Sequence, residues 1–177
     1  MPVRTPRPFL VPAATLRKVP GTVREERRSG VIEGLATVGV AVPDGAEVEV
    51  EVALSSYPEG IMVVGSVTTP WVGECRRCGG PVAGRVSVDV RERYVPAGSP
   101  DDEAYGFAED LIDLEPLARD AVLLELPLAP LCAEACLGIC PECGANRNVE
   151  PCRCEAPRDL RWSALDALRD IDDGGVA

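Results

Sequence analysis

Between residues 47 and 54 the chain alternates without a break: Val48, Val50, Val52 and Leu54 are spaced by Glu47, Glu49, Glu51 and Ala53. A period of two puts the apolar set on one face and the acidic set on the other, which predicts a half-buried strand. Upstream, SGVIEGLATVGVAVPDG is rich in Gly and Val and predicts a strand or two, with a turn at Pro43-Asp44-Gly45. Downstream, a turn over residues 56–60 leads into a second, long strand, IMVVGSVTTPWVGEC. A third alternates through Val86, Val88 and Val90 in VAGRVSVDVRERYV. These segments predict an antiparallel meander with the CRRC stretch at the tip of one hairpin.

The period changes near residue 113. DLEPLARDAVLLEL offers a capping Asp113, Pro116 in the first turn, an apolar face through Leu117, Val122 and Leu124, and a stop at Pro127. The expected fold is therefore α+β and β-rich: an antiparallel sheet or barrel-like meander with one docked helix and a C-terminal Cys-rich zinc module. We divide the chain into a basic, Pro-containing N-terminal segment (1–30), a β-rich body (31–130) with its helix at about 114–126, the Cys-rich module (131–157), and a tail with a short helix (158–177). The acidic stretch SPDDEAYGFAED reads as a solvated connector.

Composition narrows the chemistry. The chain has 177 residues and no His, which excludes a Ser-His-Asp triad, a Cys-His nucleophile and any His-liganded metal. Its net charge of −11 is unevenly spread. Residues 1–28 carry seven basic side chains against Glu25 and Glu26, so the remainder is strongly acidic. Bulk attraction to phosphate is thereby excluded, and any nucleic-acid contact has to be local. The basic start, including Arg24, Arg27 and Arg28, reads either as such a contact arm or as a merely solvated terminus. On the arm reading, residues 1–14 are removable without loss of stability. FLVPAA is too short and proline-broken for a secretory signal, and the chain is expected to be cytoplasmic.

In a reducing cytosol, eight cysteines in paired spacings point to metal rather than to disulfides. Cys75-Arg76-Arg77-Cys78-Gly79 and Cys140-Pro141-Glu142-Cys143-Gly144 both have the knuckle form, in which one tight turn aims two sulfurs at one cation. Four thiolates at about 2.3 Å make a closed tetrahedral Zn²⁺ site. We favour two structural zincs, one held by Cys140, Cys143, Cys152 and Cys154, the other by Cys132, Cys136, Cys75 and Cys78. The competing partition groups Cys132, Cys136, Cys140 and Cys143, leaving Cys75 and Cys78 with Cys152 and Cys154. A redox dithiol requires a thioredoxin-like βαβ setting that the hairpin does not offer. Iron–sulfur ligation is chemically possible but suits twin knuckles less well. Closed all-thiolate sites leave no position for a catalytic water, so no enzyme activity is expected. Such modules can present Arg side chains to RNA, and Arg76, Arg77, Arg147 and Arg153 are candidates, or simply exposed.

The order of these motifs resembles the YceD family of large ribosomal RNA subunit accumulation proteins. CRRC, then IDLEPLARDAVLLELP, then PLC-x3-C-LGICPECGANRN-x3-C-x-C and PRDLRWSALDAL carry the resemblance over about residues 15–170. The family typically has Leu where Arg147 stands. The resemblance implies a bacterial ribosome-biogenesis factor needed for synthesis, processing or stability of the large-subunit 23S ribosomal RNA. Its implied partners are precursor ribosomal RNA, the assembling large subunit or ribosomal proteins, with no membrane and no established catalytic residues. Two other classes fit the cysteines: a zinc-ribbon accessory of a transcription or other protein complex, and a redox- or metal-sensing protein.

Overall fold

The computed structural model describes residues 7–19, 21–99, 103–154 and Arg161. In chain order they form β1 (Leu10–Pro12), α1 (Ala14–Lys18), β2 (Val23–Val31), β3 (Ala36–Thr37), β4 (Val40–Ala41), β5 (Glu47–Tyr57), β6 (Gly60–Glu74), β7 (Pro81–Pro96), β8 (Tyr105–Phe107), β9 (Leu111–Asp113) and α2 (Glu115–Glu125). The protein is β-rich and its main pairings are antiparallel, as the alternation implies.

Strand β6 is the spine of the larger sheet. One of its edges pairs with β5 over Glu49–Tyr57 and, further on, with β4 at Val72 and Gly73. The other edge pairs with β7 over its whole length, from Ile61↔Tyr94 to Glu74↔Pro81. The faces follow from the period of two. Val48, Val50, Val52 and Leu54 of β5 are buried, with Ile61, Val63 and Val67 of β6 and Val86, Val90 and Tyr94 of β7 beside them. Each such side chain contributes about 1.5–3 kcal/mol on burial. The opposite face is polar and carries the β5 glutamates.

The sheet does not close into a barrel. β2 and β8 lie at opposite edges and do not pair. The buried face is covered instead by α1, α2 and the β1–β9 ribbon, so the sheet has no need to curl onto itself. Helix α2 starts at Glu115, one residue later than a cap at Asp113 predicts, with Leu114 at the N-cap; the Asp113 Oδ1 accepts the Glu115 N–H at 3.0 Å, and Pro116 follows in the first turn. Leu117, Ala118 and Val122 are buried. The expected apolar face is wrong at Leu124, which is 87% exposed; Leu126, just past the helix where ψ is 129°, is buried in its place.

The N-terminal region differs from a detached basic arm. β2 runs across the expected boundary at residue 30 and pairs with β5 from Val23↔Ser55 to Val31↔Glu47. Register places Arg24, Glu26 and Arg28 on the same face as the buried valines of β5. Glu26, with a side chain only 9% exposed, sits between the Arg24 and Arg28 guanidiniums, the latter at 2.7 Å. The near-buried Glu26 carboxylate is tolerable because two part-exposed guanidiniums flank it. β1 pairs with β9, and Phe9, Val11 and Ala13 are buried, so deleting residues 1–14 would remove core side chains.

The supposed acidic connector also contributes structure. β8 pairs in parallel with the end of β7, and Tyr105 stacks on Tyr94 with ring centroids 5.2 Å apart. The Tyr94 hydroxyl donates to the Asp113 carbonyl at 3.0 Å, and the Tyr105 hydroxyl to Asp120 at 2.8 Å. These contacts tie the ends of β7, β9 and α2 together. The short helix expected in the tail lies outside the described residues.

Phe9 is 1% exposed, and Phe9→Ala is expected to cost about 3–5 kcal/mol. Urea unfolding should show a lower midpoint at unchanged slope. An unchanged midpoint would mean that the N-terminal ribbon is not part of the core.

Candidate metal centres

The hairpin joining β6 to β7 turns over residues 75–80. Within it the Cys75 N–H donates to the Gly80 carbonyl at 2.8 Å and the Gly79 N–H to the Cys75 carbonyl at 2.9 Å. Residues 140–145 repeat the arrangement: Cys140 N–H to Ala145 carbonyl at 2.8 Å, and Gly144 N–H to Cys140 carbonyl at 2.9 Å. The backbone is left-handed at both glycines, with φ of 69° at Gly79 and 74° at Gly144. Space for a Cβ exists at both positions, so glycine is required there by conformation rather than by crowding. CRRCGG and CPECGA are thus the same turn built twice.

All eight cysteines are free thiols. They gather as Cys75, Cys78, Cys132 and Cys136 in one centre and Cys140, Cys143, Cys152 and Cys154 in another, the sulfurs of each lying within 4.8 Å of one another. This is the grouping that spacing favoured; the competing partition is not formed. In the first centre Cys78 Sγ is 3.6 Å from Cys132 Sγ, and Cys75 Sγ is 3.8 Å from Cys136 Sγ. Tetrahedral coordination with bonds of about 2.3 Å has sulfur–sulfur edges of about 3.8 Å. The residues present therefore fit a thiophilic divalent ion.

Electrostatics support the fit. The backbone N–H of Cys132, helped by those of Arg77 and Cys78, outweighs burial and lowers the Cys75 thiol to about 6. The N–H groups of Cys143 and Glu142 do the same for Cys140, also to about 6. Cys132 is pushed up to about 12, chiefly by its hydrogen bond to Cys136, and Cys154 to about 12 by its hydrogen bond to Cys143. Sulfurs this close share protons among themselves; a central cation is what allows all four to ionise together.

The first centre joins segments far apart in sequence, and the polypeptide prepares the junction. The Arg76 N–H donates to the Pro130 carbonyl at 2.9 Å and the Ile139 N–H to the Arg77 carbonyl at 2.9 Å. The Arg77 guanidinium donates to the Glu134 and Cys136 carbonyls at 3.1 and 3.0 Å. Helix α2 aims the chain here, since it packs on β6 and β7 and ends within a few residues of Pro130.

One group of residues escaped the sequence reading. In CGANRN, the Asn148 Oδ1 accepts the Leu137 N–H at 2.7 Å, while its Nδ2 donates to Cys136 Sγ at 3.3 Å and to Asn146 Oδ1 at 2.9 Å. The Arg147 N–H donates to the Gly138 carbonyl at 2.9 Å, and Ile139 forms a bridge with Asn146. Two asparagines directly after a knuckle were the available signal.

The arginines separate into two sets. Arg24 pairs with Glu26 and donates to the Pro12 carbonyl; Arg28 pairs with Glu26; Arg27 meets Glu51 at 3.0 Å and Glu49 at 3.8 Å. Arg77 braces the first centre. Arg76, Arg147 and Arg153 are exposed on the cysteine module.

An open, β-rich scaffold bearing two four-cysteine centres defines the protein as a cysteine-knuckle sheet protein. The chain belongs to the YceD family, whose model, described as large ribosomal RNA subunit accumulation protein YceD, matches residues 63–169. It is 36% identical to an uncharacterized protein of Mycobacterium tuberculosis, covering 89% of this chain and 80% of the relative. An uncharacterized Mycobacterium leprae protein is 33% identical, with 89% and 76% covered. The Arabidopsis thaliana protein named large ribosomal RNA subunit accumulation protein YCED homolog 1, chloroplastic, is 27% identical over 72% of this chain and 50% of its own length. No solved structure matches.

The grouping makes a stoichiometric prediction. Cys75→Ser and Cys132→Ser should each remove the same bound-metal equivalent, and the double variant should lose no more than either single one. Elemental analysis of the purified variants reads this out; losses that add would refute the shared centre.

Proposed function

We propose that this protein is a non-enzymatic ribosome-biogenesis factor acting in the synthesis, processing or stability of large-subunit ribosomal RNA. The observation that carries the reading is the family match across residues 63–169, reinforced by the chloroplast relative's name. Two structural Zn²⁺ ions, one per four-cysteine group, hold the module in shape. Saturated all-thiolate coordination leaves no site for a reacting water, so the metals serve architecture. Precursor ribosomal RNA, or the assembling large subunit that contains it, is the partner, and the cytoplasm is where they meet.

Contact falls to the cysteine module rather than to the N-terminal region. Arg76, Arg147 and Arg153 are exposed there, whereas Arg24, Arg27 and Arg28 are engaged by Glu26, Glu49 and Glu51. The acidic remainder of the chain disfavours a broad phosphate-wrapping mode, which suits a small local contact.

Depleting the protein should lower mature large-subunit ribosomal RNA relative to small-subunit RNA and raise its precursors, measured on total RNA. Unchanged levels of both would refute the proposal. A pull-down that recovers RNA polymerase and no ribosomal particles would favour the transcription-accessory reading.

The triple variant Arg76→Ala/Arg147→Ala/Arg153→Ala should weaken co-sedimentation with precursor large-subunit particles and flatten its dependence on salt. Arg27→Ala should leave both unchanged. Equal effects of the two would place the contact elsewhere.

A further inference from the structure

Asn148 belongs by sequence to one metal centre and by contact to the other. It lies in the loop of residues 144–151, which is closed at its ends by Cys143 and Cys152 of the second centre. Its side chain nevertheless donates to the sulfur of Cys136, a member of the first centre, at 3.3 Å, and accepts the N–H of the next residue, Leu137, at 2.7 Å. The orientation of the carboxamide is dictated by its partners. Oδ1 faces a backbone N–H, and Nδ2 faces the Asn146 Oδ1 and the sulfur, neither of which can donate to it when the thiol is ionised.

The loop is braced by short-range backbone bonds: the Cys140 N–H donates to the Ala145 carbonyl at 2.8 Å, and the Val149 and Glu150 N–H groups to the Asn146 carbonyl at 2.9 and 3.0 Å. Asn146 caps the turn by accepting the Asn148 N–H at 3.0 Å, and the segment meets residues 138 and 139 through the Arg147 N–H and one bridge. No helix or long strand runs through it. With the second centre open, the loop would keep these turns but lose the anchor at its Cys152 end, and presenting one amide to a sulfur of the other centre would cost more entropy. Closing that centre removes this remaining freedom in advance.

We infer that the two centres form one cooperative unit in which filling the second positions Asn148 to complete the hydrogen-bonding shell of the first. Asn148 is thus a positioning residue for a centre whose ligands it does not belong to. The inference rests on the metal reading given above. Hydrogen bonds donated to a ligating sulfur stabilise the thiolate, and losing such an outer partner typically weakens metal affinity by roughly 10- to 100-fold. The coupling is reciprocal: metal in the first centre holds Leu137 and Cys136 where they fix the loop, and so favours closure of the second.

Cobalt(II) titration of the full-length, metal-free chain under reducing conditions tests this through thiolate-to-cobalt absorption. Opening the second centre with Cys152→Ser/Cys154→Ser should weaken cobalt binding at the first by about 10-fold or more. Asn148→Ala should have a similar effect with the second centre intact and little further effect once it is open. Asn148→Asp keeps the acceptor for the Leu137 N–H and removes the donor to sulfur, so it should shift the absorption of the first centre even if the alanine variant folds poorly. Losses from Asn148→Ala and from the opened centre that multiply independently, or a first centre indifferent to the second, would overturn the coupling alone. A parent chain that binds no cobalt would overturn the metal reading and the coupling with it.

Discussion

Four thiols held within 4.8 Å of one another repel as thiolates unless a cation lies between them, and the architecture of this protein is organised around that constraint at two places. The first centre is the more consequential. It connects a hairpin tip at Cys75 and Cys78 to a segment that begins after α2, closing a loop of more than fifty residues. Long loops gain most from such closure, because the unfolded chain loses the most freedom. The β6–β7 hairpin carries the knuckle out from the core without interruption, and α2 delivers the other pair to the same place. Sheet and module are therefore mechanically continuous.

Charge is arranged so that most of it is spent internally. The arginines of β2, which make the N-terminal region look like a phosphate-binding arm, are neutralised by Glu26 beneath them and by Glu49 and Glu51 across the outer face. An isolated guanidinium facing the buried valines of β5 would carry a large desolvation cost; the Arg24–Glu26–Arg28 arrangement offsets it. On the module, Arg76, Arg147 and Arg153 are exposed. The chain as a whole is acidic, with a net charge of −11, which disfavours general adhesion to phosphate.

Much was legible before the fold was known, and for identifiable reasons. The β5 alternation, the long strands on either side of the first knuckle, and the start of α2 just after Asp113 all depend on local periodicity or capping, which are written in adjacent residues. Both knuckles were legible because the turn that aims two sulfurs needs its glycine at a set offset. β2 was missed because its half-buried face is Arg, Glu and Arg, so no apolar alternation marks it. β8 and β9 were missed because they are three residues each and are stabilised by partners distant in sequence. Leu124 was misplaced because helical periodicity does not say where the core ends.

By itself, then, the sequence determined the local turns, the strand faces, the absence of histidine chemistry and the supply of thiolates in pairs. Tertiary structure alone decided which pairs share a centre, that the arginines of β2 are ion-paired in a sheet rather than free, and that Asn148 crosses from one centre to the other. The physical reason is the same in each case. Periodicity and spacing constrain neighbours along the chain, whereas ion neutralisation and metal coordination depend on which distant segments the packed core brings within a few ångströms.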